Sequence, residues 1–456
     1  MSRRLARPLG AVLGLAAVCG VAVAHGGSLR GASGDSLAVP TWLFLSTGGA
    51  VVGASFLLAS FVTDRAFVAS VHGWTRSVPA PRRLLAWAGR LVGLAAFVVL
   101  VVAGFAGPTE PLRNAAIVLV WVGWWAGLVM ATYLVGNTWP ALDPFRTLTR
   151  PLARVTDGAR DLDANAAAWT STAFLLALVW VEVVSPLADA PPLLAGVTLA
   201  YLGVAAGGVV AVGHETWFGE VDPVARLFRS YGAVAPVERT ESGLSLRVPA
   251  ARLTERVVDT RGGVAFVVAV LWGTTYDGLV GTPAWAGFAR TVVNAGVPAQ
   301  LLYPAALVGG FLAFHRLYWW AARKARETAP TYTDVETLAV RFAPSLLAIA
   351  AGYHLAHYLV YFLSLSPSLF GAVLAPLDPP IARRLVLPGW LSGVGVAAVL
   401  LGHLLAIWVA HGTAFDELPG RLQAVRSQYA LTAVMVFYTM SSLWIVSQPA
   451  GSPPFL

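Results

Sequence analysis

Long apolar runs separated by short polar stretches dominate the chain. Ten of them, at 41–62, 86–106, 115–136, 167–185, 192–213, 263–282, 300–321, 341–363, 388–410 and 429–447, have the length of a membrane-crossing helix. Such a helix needs about 20 apolar residues to span the hydrocarbon of a bilayer. The pattern predicts an all-α integral membrane protein, a bundle of about ten transmembrane helices after an N-terminal signal segment.

Residues 1–24 carry the marks of that segment. Arg3, Arg4 and Arg7 form a basic start, Leu9 to Val21 an apolar stretch, and Ala22-Val23-Ala24 a small-residue cleavage site. The segment reads either as a cleaved signal peptide, leaving His25 as the first mature residue, or as an uncleaved signal anchor. Both readings put residue 25 outside. The remaining organisation is a short extracellular segment at 25–40, a polytopic helical membrane domain at 41–447 and an extracellular tail at 448–456.

Charge orients the spans. The loops at 65–85, 138–166, 214–261, 316–338 and 412–428 hold 21 Lys and Arg residues, whereas the opposite set, 26–40, 107–114, 186–191, 283–299 and 364–387, holds five. Basic residues accumulate in cytoplasmic loops. The first set is therefore expected in the cytoplasm and both mature termini outside a plasma membrane. The largest of these loops, 214–261, includes a strand-like run, Leu244-Ser245-Leu246-Arg247-Val248, but is too short for a catalytic domain of its own.

Composition agrees with lipid as solvent and partner. Of 456 residues 57% are hydrophobic and 12% charged, and the mean hydropathy is +0.69. Soluble domains carry about 25% charged residues. The 17 Trp suit a protein with many membrane–water interfaces. A net charge of +8 brings no nucleic-acid partner into the picture, because the basic residues are scattered through short loops. The single cysteine, Cys19, lies in the leader and excludes disulfides, cysteine-based metal centres and thiol catalysis.

Two spans exit into similar sequences. The third leads into Gly136-Asn137-Thr138-Trp139 and Asp143-Pro144-Phe145-Arg146, the fifth into Gly213-His214-Glu215-Thr216-Trp217 and Asp222-Pro223-Val224-Ala225-Arg226. Asp followed by Pro fits an N-cap and first helical position. Each piece is expected to form a short basic helix on the cytoplasmic surface, with Trp139 and Trp217 at the interface. Either a duplicated helical hairpin or the common needs of a cytoplasmic exit account for the match. His72, His214 and His315 read as surface residues at the same level.

Ionisable side chains inside spans cost about 2.5–3.5 kcal/mol on insertion scales, and each requires a reason. Glu182 and Asp277 fall near the outer ends of spans 4 and 6, His354 and His357 in span 8, His403 near the middle of span 9 and His411 at its inner end. At 1.5 Å per residue, His357 and His354 lie roughly 10 and 14 Å below the outer end of their span and His403 roughly 22 Å deep. Together these groups are expected to line an outward-facing polar cavity, with His25 above its mouth.

The i,i+3 pair His354/His357 shares one helix face. With His403 and His25 it offers imidazole ligands for zinc or copper, and Asp277 and Glu182 offer a base or further ligands. Bis-histidine haem is disfavoured by the depth difference of about 8 Å between His354 and His403. The alternative is that the histidines hydrogen-bond neighbouring helices and only hold the bundle together. Walker A, GxSxG and HExxH motifs are absent, which removes support for a P-loop ATPase, an α/β-hydrolase or a zincin.

The chain resembles a family of prokaryotic polytopic membrane proteins labelled fenitrothion hydrolase-like. The resemblance is carried by Ala24-His25-Gly26, Val39-Pro40-Thr41-Trp42-Leu43-Phe44, Ala103-Gly104-Phe105-Ala106-Gly107, Trp180-Val181-Glu182 and Tyr276-Asp277-Gly278. Gly352-Tyr353-His354-Leu355-Ala356-His357-Tyr358, Gly402-His403 and Ser427-Gln428-Tyr429 extend it across nearly the whole mature chain. It implies hydrolysis of an organophosphate ester and brings no catalytic assignment. Three functions follow as expectations: metal-dependent hydrolysis of an apolar ester, binding or transport of a metal or haem, or a non-catalytic assembly role.

Overall fold

A computed structural model describes residues 41–240, 243–381, 383–449 and 451–455. The signal segment, His25 and the 25–40 stretch lie outside the described residues. The described residues are 76% helical. In chain order the elements are α1 (Thr41–Ser60), α2 (Arg65–His72), β1 (Thr75–Val78), α3 (Arg82–Ala106) and α4 (Ala115–Leu134). There follow α5 (Pro144–Thr149), α6 (Ala164–Val184), α7 (Pro191–Val212), α8 (Pro223–Gly232), β2 (Val237–Arg239) and β3 (Leu244–Arg247). The last part comprises α9 (Arg261–Val280), α10 (Pro283–Asn294), α11 (Ala299–Thr328), α12 (Val335–Phe342), α13 (Ser345–Leu374), α14 (Leu391–Glu417), α15 (Arg421–Ser427) and α16 (Tyr429–Val446).

Among the described residues, nine helices are long and apolar enough to cross a membrane. The seventh expected span also forms a helix, α11, but is not one of the nine, because Gln300, Tyr303, Pro304, His315 and Arg316 dilute its apolar run. The helix over the eighth expected span is longer than the span at its C-terminal end. This helix, α13, continues past residue 363 to Leu374 and takes Pro367 in its stride.

A helix that is apolar on every side must be enclosed. α9 meets that description from Gly262 to Gly273, and 89% of its apolar stretch is buried, against 6% for α3. α9 packs on α6, α11, α13 and α16. α3 instead turns Leu84, Leu85, Leu91, Val98 and Phe105 outward, the pattern of a peripheral helix.

The two loop sets separated by charge also meet within themselves. At one end β3 pairs antiparallel with β1 and β2, joining the loops 65–85 and 214–261 in one three-stranded sheet. The strand-like run at Leu244 is thus a strand. At this end Arg65 donates to the Phe415 and Pro419 carbonyls, and Thr328 to the Arg426 carbonyl at 3.0 Å. At the opposite end Arg113 pairs with Asp378 at 3.3 Å, and Tyr303 donates to the Pro454 carbonyl at 2.9 Å.

α13 crosses α14 in backbone contact. A Cβ on Gly402 would stand 2.6 Å from the Ala348 carbonyl oxygen and 3.1 Å from the Gly352 Cα. Small residues permit such backbone contact between membrane helices. Adding one methyl group there should cost about 1–3 kcal/mol, although alanine is the better helix former. Gly402→Ala is expected to lower the thermal midpoint in detergent. Gly203→Ala, where a Cβ meets nothing within 4 Å, should be neutral or stabilising. Equal midpoints for both variants would show that the crossing is not tightly packed.

Candidate functional site

Asp277 lies one turn before the end of α9, among Thr274, Thr275 and Tyr276, in the polar close of an otherwise apolar helix. Its Oδ2 accepts a hydrogen bond from the Tyr358 hydroxyl at 2.8 Å and lies 3.6 Å from His357 Nε2. Both partners come from α13, where positions 357 and 358 are adjacent. The carboxylate side chain is 12% exposed and the imidazole 31%. Gly278 makes room beside them, since a Cβ there would stand 2.0 Å from the Tyr353 hydroxyl oxygen. The Tyr353 and His357 rings stack at 6.0 Å.

Glu182, two residues from the end of α6, faces the same space. A cavity is lined by Glu182, Asp277, Thr274, Tyr358, Trp125 and Tyr231, with Leu175, Val179, Leu227, Ala269, Val270 and Gly273 as its apolar wall. It leaves about 40 Å³ for the centres of water-sized molecules. One water needs about 10–15 Å³ by this measure, so the cavity holds a few waters or one small ion. An aryl phosphotriester does not fit inside it.

His354 takes a different direction from His357. It is fully buried, with Nδ1 3.0 Å from the Tyr133 hydroxyl of α4 and its ring 4.6 Å from that of Tyr358. A spacing of three residues leaves two side chains about 60° apart on a helix. That is enough for α13 to hand one imidazole to α4 and the other to α9. His403, also fully buried, donates its Nδ1–H to the Val399 carbonyl on its own helix at 2.8 Å.

The described histidines of the expected metal centre, His354, His357 and His403, are thus turned to different neighbours. Among the described residues no group of three His, Cys, Asp or Glu side chains could hold a metal ion, and His25 lies outside them. A haem between His354 and His403 does not fit either, because α13 and α14 cross in backbone contact at Gly352 and Gly402 and leave no gap for a macrocycle.

The expected surface helices need a larger correction. Asp143 and Asp222 do cap their helices, accepting from the Arg146 and Ala225 amides at 3.0 and 2.7 Å, each with Pro at the first position. α8, however, is buried along Leu227, Phe228, Ser230 and Tyr231 and closes one end of the cavity. Its aromatic face reaches inward because only Arg226 and Arg229 are charged, and the former turns back to the Glu220 carbonyl at 2.7 Å. Trp139 and Trp217 are core residues, not interfacial ones, and the Trp139 ring stacks on Phe228 at 4.8 Å. His214 is buried as well, donating its Nε2–H to the Arg146 carbonyl at 3.1 Å and so tying the two exit segments together.

Trp125, Tyr231 and Tyr358 are the lining residues that sequence reasoning missed or assigned to packing. Trp125 belongs to a π-helical stretch, Leu119–Leu128, which nothing in the residue pattern announces. Wider turns of this kind recur at functional sites. Tyr231 had a usable signal, since Leu227, Phe228 and Tyr231 make an apolar stripe too strong for a helix lying in water.

No family model matches the chain, and neither does any curated protein or solved structure.

The two Asp caps supply a pH test of this arrangement. Burial pushes the Asp143 carboxyl up to about 7, and the neighbouring Asp222, itself raised by burial, adds to the effect. The folded state then holds a proton that the unfolded chain releases near 3.8. Stability contributed by the protonated cap is fully present below that value and lost as pH rises towards 7. The loss between pH 5 and pH 8 should be on the order of 2 kcal/mol. Asp143→Asn keeps a capping oxygen without the charge, and its thermal midpoint should fall less over that range. A midpoint that follows the wild type at every pH would refute the buried-cap account.

Proposed function

We propose that the chain is a multi-pass protein of the plasma membrane whose working centre is a proton-exchange site formed by Asp277, His357, Tyr358 and Glu182. In this reading residues 1–24 direct insertion, the loops rich in Arg face the cytoplasm and the site is reached from the outer face. The exposed apolar side chains of α3 and the excess of basic residues at one end support that placement.

The observation that carries the proposal is the Asp277 carboxylate itself. It lies on the most enclosed helix, hydrogen-bonded by Tyr358 and beside His357, on a cavity of water size that Glu182 shares. Chains of Asp, Glu and His inside membranes mark proton relays and ion pathways. Every named group here accepts or gives a proton, and the space between them admits water. Infrared difference spectra of the purified protein should show a carboxylic-acid C=O band that titrates. Asp277→Asn should diminish it and Glu182→Gln remove a further component, leaving the part that Asp143 and Asp222 contribute. An unchanged band in the double variant would end this reading.

A second reading rests on the His357–Asp277 contact. An imidazole oriented by a carboxylate is a general-base arrangement, and a cavity water would be the nucleophile for an apolar ester docked at the mouth. The protein in detergent would then hydrolyse an aryl phosphotriester, with a loss of about 10²-fold or more in His357→Gln. Turnover equal to that of buffer alone would dispose of it.

A further inference from the structure

Arg90 falls inside the second apolar run of the chain, about 10 Å further along α3 than Arg83. A charge within a span needs a counter-charge or a route to water. Between residues 65 and 109 the chain has five Arg and neither Asp nor Glu. Arg65 is taken up by carbonyls at the end of α14. At the same end of the bundle Arg247 and Arg252 share Glu238, and Arg341 pairs with Glu417. Arg83 and Arg90 have no such acid among the described residues.

The packing of α3 shows which way these arginines are turned. Gly89 and Gly93 are pressed against the protein, and a Cβ on Gly89 would stand 2.9 Å from the Ala141 Cβ. Trp87 lies on the other side of the helix, 62% exposed, with Arg83 and Arg90 one turn before and after it. The Arg90 guanidinium lies over the Trp87 ring, 5.5 Å from its centroid. An indole face holds a guanidinium in place and leaves its N–H groups, all donors, for an anion. Helix side chains lean towards the N-terminus, so Arg90 reaches back along α3 in the direction of Arg83. In the other direction the flank continues as Leu91, Val98 and Phe105, all exposed and spaced by seven residues in one stripe.

We propose that this flank of α3 binds an anionic phospholipid, with the phosphate against Arg90 and Trp87 and the acyl chains along Leu91, Val98 and Phe105. Arg83, one turn away, adds its charge. The occupant is a lipid because the basic pair runs without a break into an apolar stripe as long as an acyl chain. It is an anionic one because a choline headgroup brings its own cation, and two guanidinium groups without an acid call for net negative charge. The site is separate from Asp277 and depends on nothing that happens there.

Lipid retained by the full chain tests this. The protein in detergent is given equal amounts of phosphatidylglycerol and phosphatidylcholine with the same acyl chains, and bound lipid is counted by native mass spectrometry. The wild type should retain phosphatidylglycerol over phosphatidylcholine by about fivefold or more. Arg83→Gln with Arg90→Gln should bring that ratio close to one. Arg323→Gln with Arg326→Gln, exposed on α11 at the same end, removes as much charge and should keep the wild-type ratio. Salt at about 1 M should erase the preference of the wild type. Phosphatidylglycerol should also raise the thermal midpoint of the wild type, whereas inorganic phosphate at the same concentration should not. A ratio near one in the wild type, an undiminished ratio in the α3 variant or an equal fall in the α11 control overturns the site. A preference indifferent to salt does so too. An equal rise in midpoint with inorganic phosphate would mean a free-anion site and overturn the lipid.

Discussion

Holding a carboxylate on the helix most shielded from solvent is the constraint around which the rest of the bundle is arranged. An ionised carboxylate moved from water into an apolar interior without partners is prohibitively costly. Asp277 meets that cost with a hydroxyl and an imidazole, both from adjacent positions of α13. Adjacent residues point about 100° apart on a helix, so satisfying both contacts fixes the rotation of α13 against α9. Gly278, which leaves space for the Tyr353 hydroxyl, holds the two helices at the depth where the contacts form.

With α13 set by Asp277 on one side, its opposite side is left to pack without polar contacts. It does so through Gly352 and Gly402, where α14 approaches to backbone contact. The same device recurs where Trp272 packs over Gly310 and Trp217 over Gly208. Lipid supplies little drive for helices to associate, and close packing of small residues substitutes for it. The crossing also determines what the site is not, because two helices in backbone contact cannot hold a flat cofactor between them.

Much of this was legible in the sequence, and the reasons differ by element. The apolar runs gave the helices directly, because a membrane span has to satisfy its backbone within itself. Charge counting separated two loop sets, and the sheet between β1, β2 and β3 joins loops from a single set. Glu182, Asp277 and the histidines stood out because lipid penalises them. Their partners did not, since a Tyr or Trp among apolar residues carries no such penalty. Tyr358 therefore carries no mark in the sequence that sets it apart from a packing residue. Sharing a helix face does not bring His354 and His357 to one ligand, because the 60° between them spans two neighbouring helices. The π-helical turns around Trp125 depend on tertiary packing and leave no trace in residue spacing.

The fate of α8 follows from the same logic. Asp-Pro marks the start of a helix equally well at a surface and in an interior, and both copies of the motif do start helices. What separates them lies further along: Leu227, Phe228 and Tyr231 give α8 an apolar side that water would reject. The bundle accepts it because Leu227 and Tyr231 join α4, α6, α9 and α13 in lining the cavity. Tyr201 of α7 holds the cap of α8 through Asp222 at 2.8 Å, and β2 follows with its Val237 amide on the Val135 carbonyl at the end of α4. The floor of the site is thus a connecting segment secured at both ends, not a span. A connection of this kind adds Leu227 and Tyr231 to a cavity otherwise lined by the long helices.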